Sequence, residues 1–246
     1  MDIPTTIALS RLTAQSRSME VIAGNIANMS TPGYRAERMA FADWLSPQPG
    51  TTAPRGDRTL SYTQDRATWR DRAEGTISQT GNPLDLALSG EGYFTVQTPA
   101  GTRLTRAGRF TLLSDGSVTD GAGNALLDTA GAPIRIGAAD TRLTVTADGS
   151  LSSQNGPIAK IAVVTPSDPN RMTAEGGRLF RADVATTATA APEIVQGAVE
   201  DSNVAPVPEL VTMMRTERDF QFVTQFIEAE SQRHQGAIDK LTQQTN

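Results

Sequence analysis

A chain with one histidine, His234, and no cysteine has little from which to build a nucleophile, a metal centre or a redox pair. A Ser-His-Asp triad needs an imidazole held between a hydroxyl and a carboxylate, and zinc sites need several imidazole or thiolate ligands. His234 lies within a helical pattern, where it reads as a polar interruption of one face. The other candidates are carboxylates: Asp115, Asp120, Asp128 and Asp148 could supply a glycosidase pair or calcium ligands. Three of these precede glycine, in Asp115-Gly116, Asp120-Gly121 and Asp148-Gly149, where Asp has a local backbone role in a turn. Gly90-Glu91-Gly92 and Gly121-Ala122-Gly123 lack the spacing of a dinucleotide or phosphate loop, and no calcium-loop pattern occurs. No catalytic residue, metal site, cofactor or small-molecule substrate is therefore expected.

With a formal net charge of -5, the chain has no global attraction for phosphate backbones or anionic lipid, so neither nucleic acid nor membrane is an expected partner. Arg66, Arg70 and Arg72 cluster, but Asp65, Asp71 and Glu74 interleave with them, and the segment reads as mixed-charge surface. No basic region followed by an apolar run opens the chain, and no apolar stretch is long enough for a span, so export without a Sec signal and without membrane insertion is expected.

The elements around these residues fall into three patterns. From Thr5 to Asn28, Leu9, Leu12, Met19 and Ile26 recur at alternating steps of three and four, with Ile22 widening the face, which predicts an amphipathic helix. Asn28 is expected to take a left-handed cap, and Pro32-Gly33 suits the central pair of a type II turn. Tyr34, Phe41 and Trp44 can anchor the returning chain. Ser46 to Arg58 has no large apolar residue at all and cannot bury enough surface to offset the entropy of ordering, which predicts a flexible or partner-dependent loop. From about Ile77 to Ala182, short apolar stretches separated by turns predict strands at Leu84–Leu88, Tyr93–Gln97, Arg103–Leu113, Arg142–Val145 and Ile158–Val164. A second helix is expected beyond the low-complexity Ala185 to Pro192, with Leu210, Met213, Phe220, Ile227, Ile238 and Leu241 on one stripe. Asn203 is its expected N-cap, and Pro206 and Pro208 confine its start.

The fold class predicted is α+β: terminal helices in an antiparallel coiled-coil-like pair, with a central all-β domain of short strands. The expected domains are a helical one from 1–34 and 201–246, an extended or flexible linker over 35–76, and a β-rich outer domain with trailing linker over 77–200. Each helix has an apolar stripe it cannot bury alone. A buried Leu, Met, Ile or Phe contributes about 1.5–3 kcal/mol, so an antiparallel pair that shares the two stripes and brings the termini together is the economical solution, with Leu9, Leu12, Met19, Ile22, Ile26 and the C-terminal stripe as the expected assembly interface.

Two segments resemble a known family. Asn25-Ile26-Ala27-Asn28-Met29-Ser30-Thr31-Pro32-Gly33-Tyr34-Arg35 is similar to the signature of flagellar rod and hook axial proteins, its motif residues being Asn25, Ala27, Asn28, Thr31, Pro32, Gly33 and Tyr34. Gly197 to Val204 and then Glu209, Met213, Met214, Arg218 and Phe220 resemble the family's C-terminal segment, with Gly197, Ser202, Asn203, Val204 and Glu209 as motif positions. Asn82 to Leu88, Gly92-Tyr93-Phe94 and Leu104 to Phe110 look like the β domain of its longer members. Thr31-Pro32-Gly33, where distal-rod members more often carry Thr-Thr-Gly, makes the proximal-rod members the best match. The resemblance implies a non-enzymatic subunit of the bacterial flagellar basal body, exported by the type III apparatus, assembled with itself and other rod subunits across the periplasm, and transmitting torque for motility. A distal-rod subunit is the runner-up. A periplasmic β-rich hydrolase or carbohydrate-binding module would leave both amphipathic termini unexplained.

Overall fold

The computed structural model describes residues 3–47, 59–176 and 178–244, with side chains placed for 5–40, 67–176, 178–237 and 239–240. It divides into two compact units, one made of Met1–Ala27, Glu37–Asp71 and Ala205–Asn246, the other of Asn28–Ala36 and Arg72–Val204.

The first unit holds two helices and a hairpin. Helix α1 runs Ile3–Ala27 and helix α2 runs Pro206–Gln244, and the two are in contact. Strands β1 (Glu37–Pro47) and β2 (Thr59–Arg70) pair antiparallel from Glu37↔Arg70 to Pro47↔Thr59, with a register shift at Ala40/Phe41. Much of the 35–76 segment, expected to be an extended linker, is thus a paired ladder. Its strands are stabilised by each other's backbone groups and by packing against α1, which a search for local apolar runs does not see. Residues 48–58 of the expected Ser46–Arg58 loop, and the side chains of Phe41, Trp44, Ile238 and Leu241, lie outside the described residues.

Two capping expectations need correction. Asn28 has no positive φ; its carbonyl accepts from Thr31 N at 3.1 Å and its side chain accepts from the Thr31 hydroxyl, so α1 ends in a right-handed turn. Asn203 does not cap α2. Its Oδ1 accepts from Ala36 N and its Nδ2 donates to Ala73 O, while α2 starts at Pro206 with prolines that have no N–H to be capped.

Among its described residues the second unit is β, apart from a 3-10 turn at Pro169–Arg171. Strands β3 (Ile77–Gln79), β4 (Leu86–Ser89), β5 (Tyr93–Thr98), β6 (Gly101–Thr105), β7 (Phe110–Leu112), β8 (Val118–Asp120) and β9 (Ala125–Leu126) come first. They are followed by β10 (Thr144–Val145), β11 (Ser150–Ser153), β12 (Gly156–Lys160), β13 (Val163–Pro166), β14 (Met172–Glu175), β15 (Leu179–Ala182), β16 (Thr186–Ala188), β17 (Glu193–Gln196) and β18 (Ala198–Glu200). The main sheet runs β14-β15-β6-β5-β9-β8-β7 in space, with β13 pairing β5 and β16. The late strands return to the early ones: β17 pairs β4, and β18 pairs β3 with Ala198↔Gln79 and Glu200↔Ile77.

The expected single strand Arg103–Leu113 is broken into β6 and β7. At Gly108 a Cβ would lie 1.5 Å from Leu86 O, and Leu86 N donates to Gly108 O at 2.8 Å, so this stretch serves as a close backbone crossing. The core includes Phe94, Val96, Phe110, Leu126 and Ile134, with Phe94 and Phe110 edge to face at 5.5 Å.

Candidate functional site: the junction of the two terminal motifs

The N-terminal motif enters the second unit as a tight turn. Tyr34 N donates to Thr31 O at 3.2 Å and Gly33 has φ 70°, as a type II turn with Pro32-Gly33 at its centre requires. Glycine is also demanded by space: a Cβ at Gly33 would lie 2.3 Å from Arg106 C and 2.4 Å from Ala107 N. The turn is held by the C-terminal motif. Gly33 N donates to Glu200 O at 2.7 Å, Asn203 N to Tyr34 O at 3.3 Å, and Ala36 N to Asn203 Oδ1 at 2.7 Å. Tyr34, Ala36 and Val204 form a small buried cluster beside these bonds. Gly197 has φ 73°, and its N–H donates to Asp85 O at 2.8 Å. The Ser202 hydroxyl accepts from Val204 N.

At the centre of this junction is a buried carboxylate. Glu200, 2% exposed, accepts from Arg35 Nη2 at 3.1 Å, Gly75 N at 3.2 Å and Arg106 Nη1 at 3.1 Å. Arg35 also donates to Arg72 O, and Arg106 to Gly90 O at 2.6 Å while lying over the Tyr93 ring. Burial pulls the Arg106 guanidinium below its ordinary range, against the opposing pull of Glu200. Two guanidiniums and one carboxylate, all buried, tie together segments from the start, middle and end of the chain. Arg35, Arg106 and Glu200 fall within the segments that resemble the family, yet no role is expected for them from the sequence. Nothing local marks Glu200 as buried: it follows Ala198-Val199 and precedes Asp201, as at an ordinary solvated strand end, and only the folded chain shows its partners.

Within the first unit, Asn25 clamps the start of β1: its Nδ2 donates to Glu37 O at 2.9 Å and its Oδ1 accepts from Glu37 N at 2.8 Å. Arg38 donates to buried Glu209 at 2.5 Å, joining β1 to the first turn of α2. These lie beside a recess shared by Ser18, Val21, Ile22, Asn25, Glu209 and Thr212. Further along α1, Leu12, Thr13, Ser16, Arg17 and Glu20 share an open groove of about 530 Å³ with Phe220.

The expected assembly stripes are only partly turned inward. Ile22 is buried, Leu12, Met19 and Ile26 are half-buried, and Leu9 is 51% exposed; Met213, Phe220 and Ile227 are half-buried, and Leu210 is 49% exposed. The inward row of α2 is Glu209, Met213, Thr216, Phe220, Val223, Ile227 and Glu230, one residue out of step with the expectation at its start. Ala27 is exposed at the end of α1.

Chemistry at the other candidates is local. Asp115 accepts from Ser117, Asp120 from Ala122 and Asn124, and Asp128 from Ala130 and Ala132, each across its own turn. Asp148 accepts from Thr146, Ser150 and Lys160. His234 Nε2 is 3.5 Å from Glu230 one helical turn away and 47% exposed. Arg70 pairs with Glu37 and Arg72 donates to Asn170. Among the described residues no cluster of three or more His, Cys, Asp or Glu could hold a metal, and no helix is long and apolar enough to cross a membrane.

The two terminal motifs thus meet within one β unit, and the two long helices belong to the other unit. Three family descriptions match in order: "Flagella basal body rod protein" over residues 6–35, "Flagellar hook protein FlgE/F/G D1 domain" over 87–153, and "Flagellar basal body rod FlgEFG protein C-terminal" over 195–239. The chain is 34% identical to the flagellar basal-body rod protein FlgF of Mesorhizobium japonicum, covering 87% of this chain and 88% of that one. It is 30% identical to FlgF of Caulobacter vibrioides over 98% of each, and 30% identical to FlgG of Bacillus subtilis over 82% and 85%. The chain belongs to the flagellar basal-body rod protein family and is a structural subunit of that rod, more similar to relatives named FlgF than to those named FlgG.

Proposed function

We propose that this chain is a proximal-rod subunit that assembles with itself and with other rod subunits through α1 and α2, forming part of the periplasmic drive shaft that transmits torque. The reading makes it a non-catalytic cargo of the type III export apparatus, with its helices as an antiparallel coiled-coil-like pair. The observation that carries it is the two-sided apolar character of α2. Met213, Phe220, Val223 and Ile227 face inward, while Val207, Leu210, Val211, Met214, Phe222 and Phe226 are 42–71% exposed on the opposite side. A helix apolar on both sides is buried on both sides in its working state. The antiparallel pairing is supported by the recesses: the start of α2, at Glu209 and Thr212, lies by the end of α1, and Phe220 lies nearer its middle.

The test is Leu12→Asp with Met19→Asp. Both side chains are half-buried, and unpaired carboxylates in that seam cost several kcal/mol per subunit, repeated at each joint of a polymer. Expected are rods that stop before this subunit, with the thermal transition of the β unit retained. Normal rods in cells carrying both aspartates would show that the helices are not the assembly elements.

A further inference from the structure

Resting on that assembly reading, we propose a specific seam: the outward face of α2 in one copy docks, antiparallel, into the α1 groove of a second copy, with Arg218 on Glu20 and Phe222 over Ser16. The groove lined by Leu12, Thr13, Ser16, Arg17 and Glu20, with Phe220 as its far wall, opens on the outer side of α1 and holds about 530 Å³. Apart from Leu9, the apolar and uncharged side chains on that exposed side are small: Thr13, Ser16, Ala23 and Ala27. At Gly24 a Cβ would meet nothing within 4 Å. The outward face of α2 has the opposite character, with Val211, Met214 and Phe222 exposed at 42%, 53% and 71%.

One antiparallel register satisfies both faces. With Arg218 opposite Glu20, Phe222 falls over Ser16, Met214 over Gly24, Val211 over Ala27, and Phe226 at the level of Leu12 and Thr13. Each large side chain of one helix then meets a small residue or the groove of the other, which is how helix surfaces interlock. Charge agrees with shape. Arg218 and Glu20 are both exposed and neither has an ion pair among the described residues, and each lies in the middle of its own outward face. The occupant is a second copy because both halves of the seam are on this chain and on different faces. Such a heterologous contact leaves one free face at each end and can be repeated from copy to copy, unlike the isologous contact of a symmetric dimer. The antiparallel direction is the one that copies of a single orientation impose when α1 and α2 run oppositely within each.

The absence of cysteine allows a clean test. Chains carrying Ser16→Cys or Phe222→Cys are expressed singly and together in cells lacking the parent chain, and isolated basal bodies are oxidised and run without reductant. A disulfide-linked dimer is expected only when both variants are present. In parallel, Glu20→Arg and Arg218→Glu are each expected to lower basal-body yield by about tenfold, because like charges then meet at every joint, and the double reversal to restore it. Rods that assemble without the cross-link, or a double reversal no better than either single one, overturn the seam. So does a cross-link from the Phe222→Cys chain to another protein with none to Ser16→Cys. Because Leu12→Asp with Met19→Asp interrogates assembly through the helices in general, arrested rods there combined with a negative result here reject the register alone.

Discussion

Replacing Glu200 by Gln tests whether the junction of the terminal motifs depends on one buried charge. Glu200 is 2% exposed and holds Arg35 and Arg106, whose side chains are 6% and 3% exposed. The amide keeps the shape and one acceptor, so it can still receive Arg35 and Gly75 N, but it turns an N–H₂ group or a weaker acceptor toward Arg106. Two guanidiniums then remain in a site with no carboxylate on them. Breaking a buried pair by removing one partner costs about 3–5 kcal/mol, mostly from the charge left uncompensated. At about 2–4 °C per kcal/mol for a protein of this size, the transition of the β unit should fall by roughly 6–20 °C. Urea unfolding of the full chain, followed by near-ultraviolet signal, measures the same loss as a lower midpoint at unchanged slope. Arg106→Met combined with Glu200→Gln should recover part of it, since one of the two stranded charges is then gone. A Glu200→Gln chain that unfolds within about 1 kcal/mol of the parent would refute the reasoning, because surface ion pairs, not buried ones, have that magnitude.

Two glycines make a matched pair. Gly33→Ala should cost at least about 2 kcal/mol in the same unfolding assay, since φ 70° and backbone atoms at 2.3–2.5 Å both oppose a Cβ. Gly24→Ala, inside α1 with open space, should raise α1 helicity in the isolated chain by up to about 1 kcal/mol, read by circular dichroism. Acid should weaken the β unit in a defined window. Hydrogen bonds from Thr146, Ser150 and Lys160 hold Asp148 well below the ordinary carboxylate value of 3.8, and side-chain and backbone donors lower Asp115 and Asp140 likewise. A depressed folded-state pKa stabilises above the unfolded value and loses that stabilisation as pH falls through the folded one, so the loss should begin near pH 4 and continue downward. Asp148→Asn should flatten that slope, as measured by thermal melts between pH 5 and pH 2, and an unchanged slope would remove Asp148 from the account.

The sequence by itself determined what depends on neighbours along the chain. The three-and-four spacing of Leu9 to Ile26 and of Met213 to Ile227 made two helices, Pro32-Gly33 made the turn, and each Asp-Gly pair marked a bend, with the Asp115 and Asp120 carboxylates accepting from their own turn's backbone and Asp148 from neighbouring side chains. The shortage of histidine and cysteine made the chemistry sparse, and the two motif segments pointed to the family. Tertiary structure decided what depends on distant partners. The ladder of β1 and β2 draws on backbone pairing across a gap that no apolar run announces, and β17 and β18 find β4 and β3 more than a hundred residues back. Leu9 and Leu210 sit on the expected stripes yet remain exposed, because the buried side of a helix is chosen by what packs against it and not by its periodicity alone. Asn203 looked like a helix cap and instead bridges Ala36 and Ala73, and Glu200 looked like an ordinary motif residue and became the shared counter-charge of Arg35 and Arg106. In each case the residue type limits which bonds can be made, while only the folded chain brings the partner within reach and removes the water that would otherwise compete for it.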